Sequence, residues 1–105
     1  MTKAKTRRSR IRSHEVAVVD SFRRDRKLAA AYLDEVLTDG DQKELMLALR
    51  RLSEALGGVS VLAQQAGLNP TTLYRTLSVD GNPELRTLRA LLQAMGLRLS
   101  VSVAA

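Results

Sequence analysis

The 105-residue chain carries 17 lysines and arginines against 11 acids, a net charge of +6, and no cysteine. This length holds one domain with its own core but not two, and without thiols a disulfide framework or a thiolate metal site is excluded, so a reducing cytoplasm is the expected compartment. Val16 to Val19 is too short for an export signal, and a membrane span needs roughly 18 or more consecutive apolar residues, so no membrane partner is expected.

The charge excess sits at the start of the chain. Met1 to Arg12 contains Lys3, Lys5, Arg7, Arg8, Arg10 and Arg12 and no acid, while the rest is balanced. Such a run cannot bury apolar surface, so residues 1–12 are predicted to form a disordered basic arm ahead of a single domain over residues 13–105. As a functional element it is an electrostatic arm that follows DNA phosphates or enters a minor groove; as a bland one it is a solvated tail.

Ser13 is placed to cap a short helix running through Phe22 with the stripe Val16, Val19 and Phe22, and the polar stretch Arg23 to Lys27 follows. From about Asp25 to Leu37, residues Leu28, Ala29, Tyr32, Leu33, Val36 and Leu37 recur at helical spacing. Thr38, Asp39 and Gly40 end that helix. Asp41 and Glu44 have capping-box spacing and open another, on the stripe Leu45, Leu49, Leu52 and Leu56, which Gly57-Gly58 stops.

The most informative segment is 59–78, VSVLAQQAGLNPTTLYRTLS. Ala63 is small where a second helix would cross the first, and four residues later Gly67 suits a left-handed corner. Leu62, Ala66, Leu68 and Leu73 fall at inward positions, Asn69 is an N-cap and Pro70 a first helical residue. That spacing is a helix-turn-helix, and its second helix presents Thr71, Thr72 and Arg75 on one side. Arginine matches guanine with two hydrogen bonds and threonine offers a hydroxyl and a methyl, so these three are the candidate contacts to DNA bases. Ser60, Asn69 and Asn82 stand near predicted helix starts and are candidate phosphate contacts, with simple capping as the alternative for the asparagines.

Asp80-Gly81 marks a turn, Asn82-Pro83 repeats the cap-then-proline start, and a last helix carries Leu85, Leu88, Leu91, Leu92 and Met95 before Gly96. Residues 97–103, LRLSVSV, alternate with period two and predict a short strand. One strand needs a partner, so Leu97, Leu99, Val101 and Val103 are expected to pair with another copy in a homodimer; a partner protein's sheet or a frayed tail are the alternatives. The fold class is therefore all-α, a bundle of five to six helices with a C-terminal strand.

Catalysis is not expected. His14 is the sole histidine, with no partner for acid-base work and no metal spacing, and no glycine loop would cradle a nucleotide cofactor.

Beyond the motif, AAAYLDEVLTDGD and then VLAQQAGLNPTTLYRTLSVDGNPELRTLRALLQAMGLRLSV, within about Arg26 to Val103, resemble the addiction-module antidote family of lambda-repressor-like (Xre) helix-turn-helix antitoxins. The resemblance implies an antitoxin that neutralises a small basic mRNA-cleaving toxin and represses its operon by binding operator DNA, with Thr71, Thr72 and Arg75 where the family contacts bases. Pro70 departs from the polar residue the wider class often has there, and the basic arm lies outside the usual pattern. The acidic segment Asp34, Glu35, Asp39, Asp41 and Glu44 is a candidate surface for a basic toxin, with a solvated helix face as the alternative. A stand-alone Xre regulator without a toxin, and an adaptor that has lost DNA binding, are the competing functions.

Overall fold

A computed structural model describes residues 16–105, so the basic arm, Ser13 and His14 lie outside the described residues. Among the described residues six helices follow one another: α1 over residues 16–24, α2 Arg26–Asp39, α3 Gln42–Ala55, α4 Val59–Ala66, α5 Pro70–Thr76 and α6 Leu85–Ala94. The fold is all-α. None of these helices is long and apolar enough to cross a membrane.

Asp25 alone separates α1 from α2, in place of the longer polar linker expected from the sequence. Its backbone is extended and its carboxylate accepts from the amides of Lys27 at 3.0 Å and Leu28 at 3.3 Å, so one residue both breaks one helix and caps the next. α1 is held down at its end. Phe22 is buried and stacks on Tyr32 of α2 with ring centroids 4.7 Å apart, while Arg23 Nε donates to the Ala55 carbonyl at 3.1 Å. A guanidinium there meets the negative end of α3's dipole.

The central helix is α3. Asp41 caps it by accepting from the Glu44 amide at 2.8 Å, and Met46, Ala48, Leu49 and Leu52 are fully buried between α2 on one side and α4 on the other. Each buried leucine contributes about 1.5–3 kcal/mol relative to an exposed one. The one buried polar side chain among the described residues, Ser53, donates to the Leu49 carbonyl at 2.7 Å and so carries no unmet hydrogen bond. Gly57 and Gly58, both at positive φ, then turn the chain into α4, which packs against α5 and α6.

The apolar stripes are narrower than their periodicity indicates. Val16 is 55% exposed, its place against the core taken by Val18 and Val19, and Leu28, Leu37 and Leu85 also stand largely in solvent. On α2 only Ala29 and Leu33 are buried, flanked by Tyr32 and Val36.

The C-terminal strand is not present: residues 97–103 form neither helix nor strand. Gly96, at φ +80°, ends α6 together with the Leu97 amide, which donates to the Leu92 carbonyl at 2.8 Å. Leu97 and Leu99 rest half-buried on the core, whereas Val101 and Val103 project free. The physical reason is that a ladder requires a second strand, and one chain supplies none.

Candidate nucleic-acid interface

The corner at Gly67 positions everything in this region. Its φ of +70° and ψ of +28° are left-handed, its amide donates to the Gln64 carbonyl, and the Leu68 amide donates to the Ala63 carbonyl at 2.8 Å. Ala63 has no exposed surface, which lets the following turn and helix lie close over α4. Leu62, Leu73 and Leu77 fill the joint, and Ala66 and Leu68 are partly buried beside them.

Asn69 starts α5 as its spacing predicts. The side-chain oxygen accepts from the Thr72 amide at 3.0 Å, Pro70 is the first helical residue, and Thr76 Oγ1 donates to the Thr72 carbonyl at 2.8 Å. Because Leu73 and Leu77 take the inner face, Thr71, Thr72 and Arg75 are all exposed on the outer one. Arg75 is the only charged residue between 59 and 78, so the α4–α5 segment itself carries a single positive charge and no acid.

Tyr74 is a neighbour that sequence reasoning passed over. It is 58% exposed beside Arg75, an aromatic ring presented to solvent on a polar helix. The signal was available: with Leu73 and Leu77 inward, residue 74 has to fall at the rim.

The three remaining polar candidates differ in setting. Ser60 is exposed in the first turn of α4, whose cap, Gly58, offers no side-chain bond. Asn69 Oδ1 is engaged in capping, which leaves its Nδ2 as the donor toward any ligand. Asn82 does not cap a helix: α6 begins at Leu85 with Glu84 as its cap, and Asn82-Pro83 lies in a non-helical segment before it. The loop before it is tied at Gly81, whose carbonyl accepts from Gln42 Nε2 at 3.1 Å and whose amide donates to the Ser78 carbonyl, three residues back, at 2.8 Å. Asn82 is nonetheless exposed and its side chain remains a donor. Among the described residues, no group of three or more histidines, cysteines and acids could hold a metal ion.

These features define an all-α domain that holds a short, polar, basic helix against a glycine corner. A family model described as "Probable addiction module antidote protein" matches residues 13–103, and the chain belongs to that family. An uncharacterized protein of Haemophilus influenzae (strain Rd) is 31% identical over 70 residues, 67% of this chain and 71% of its own. No solved structure matches the chain. Antidotes of this kind are typically non-enzymatic, and an antidote implies a cognate toxin as partner.

Proposed function

We propose that the protein is the antitoxin of a type II toxin-antitoxin module, neutralising an mRNA-cleaving toxin by direct binding and repressing their shared operon as a lambda-repressor-like helix-turn-helix protein. The carrying observation, beside the family, is the outward presentation of Thr71, Thr72 and Arg75 by a helix whose inner face is locked by Leu73 and Leu77. In this reading α5 enters the major groove of a double-stranded operator, Arg75 reads a guanine, and the threonines contact neighbouring bases. Ser60, Asn69 Nδ2 and Asn82 contact phosphates and set the register.

The toxin meets the corner between α2 and α3. Asp34, Glu35, Asp39, Asp41 and Glu44 are all exposed there, and a run of carboxylates complements a basic partner. Co-expression with the product of the adjacent reading frame should yield a complex that survives purification. A neighbour that neither arrests growth alone nor co-purifies would leave a stand-alone regulator as the better description.

The arm gives a separate expectation. Deleting residues 1–12 should lower affinity for specific and unrelated duplexes alike, and flatten the salt dependence by about 0.9 in log–log slope for each phosphate that the arm neutralises. Titrations at several salt concentrations measure this. An unchanged slope would mean that the arm stays off the DNA.

A further inference from the structure

We propose that Tyr74 seats α5 in the groove: its hydroxyl donates to a phosphate oxygen of the groove wall, a contact blind to base sequence and without charge. The contact presupposes that α5 enters the major groove, as the proposed function has it, and adds a residue which that function does not use.

Successive residues of a helix stand about 100° apart around its axis. Leu73 and Leu77 fix the inner face of α5, which puts Arg75 opposite them and leaves Tyr74 and Thr76 on the two flanks. A helix with its side chains is about 10–12 Å across and the major groove about 12 Å wide. The tip of an inserted helix therefore meets base edges, while its flanks meet the phosphate walls.

The two flanks of α5 are not equivalent. On one, Thr76 is half-buried and its Oγ1 already donates to the Thr72 carbonyl at 2.8 Å. On the other, Tyr74 is 58% exposed and its hydroxyl bonds to no described residue. The chain has three aromatic residues, and Phe22 and Tyr32 stack on each other where α1 docks, so Tyr74 alone is turned outward. A single exposed apolar ring is ordinary, but this one carries a free donor on the flank that faces a wall. Tyrosine hydroxyls are regular phosphate donors, and a side chain with only two rotatable torsions loses little entropy when it is held. Because a hydroxyl displaces no counterion, the contact keeps its strength as salt rises, whereas contacts made by cationic side chains weaken.

The test is Tyr74→Phe in the full chain, which removes one oxygen from an exposed site and should leave helicity and melting temperature as in the wild type. Kd should rise about tenfold on the operator and by the same factor on a scrambled duplex, with the log–log salt slope unchanged. Operators carrying single methylphosphonates, which remove one phosphate's charge and an acceptor oxygen, locate the contact. At one wall position the substitution should weaken the wild type without weakening Y74F further. A defect confined to the operator assigns Tyr74 to base readout and overturns the proposal. Equal affinities of Y74F and wild type on both duplexes, or the same methylphosphonate profile for the two proteins, overturn it as well. A wild type that binds neither duplex would remove α5 from DNA altogether, and Tyr74 with it.

Discussion

Gly81→Ala is expected to cost about 3 kcal/mol of stability or more. A methyl at this buried position would fall on the carbonyl of Thr76, the last residue of α5, with the Thr76 carbonyl carbon 2.6 Å and the Ser78 oxygen 2.9 Å away. Overpacking typically costs about 1–3 kcal/mol, and here the obstructing atoms are backbone, which cannot rotate aside. Displacing the loop would also break the Gln42 bond to the Gly81 carbonyl, worth about 0.5–1.5 kcal/mol. For a domain of this size the melting temperature should drop by roughly 12–24 °C. Gly67→Ala is the comparison: its added carbon meets nothing within 4 Å, so only the left-handed backbone is strained, at about 1–2 kcal/mol. Urea titration of both variants decides the matter. Equal losses would show that crowding at Gly81 is not what demands a glycine there.

Arg75→Ala should weaken operator binding by about 1–3 kcal/mol, roughly 5- to 150-fold in Kd, and relax sequence preference at one base pair. Arg75 is exposed, so the substitution leaves Leu73 and Leu77 packed, and circular dichroism should match the wild type. Arg75→Lys separates charge from geometry. It keeps the positive charge that unrelated duplexes feel but loses the fork that matches guanine, so its defect should appear on the operator and not on a scrambled sequence. Anisotropy titrations on both duplexes measure this. Indistinguishable curves for wild type and alanine variant on the operator would remove Arg75 from base readout.

The features legible in the sequence were those decided within a few residues. Ala63, Gly67, Asn69 and Pro70 specify the α4–α5 corner by local sterics and capping, and Asp41 likewise opens α3 through a bond to an amide three residues on. Gly81 was readable as a turn, but the crowding that forbids a side chain comes from the end of α5 folding back on it. Asn82-Pro83 copies the local grammar of Asn69-Pro70, yet the preceding Gly81 is bonded to Gln42 and Ser78, and the helix begins only at Leu85. Periodicity marks which side of a helix faces inward without saying how wide the neighbouring element is. Leu28 and Leu37 therefore flank α2's buried stripe instead of joining it. The alternation of residues 97–103 was visible, but a strand's existence depends on hydrogen-bond partners that lie outside its own chain.

The contact between Phe22 and Tyr32 has a practical corollary. With no tryptophan in the chain, ultraviolet emission comes chiefly from two phenols in contrasting surroundings: Tyr32, half-buried and stacked where the first helix docks, and Tyr74, open to water beside Arg75. Each side chain reports a different event. Undocking of the leading helix perturbs the first ring, and a ligand laid across the recognition surface perturbs the second. Single phenylalanine replacements would therefore turn the unlabelled molecule into its own pair of optical sensors.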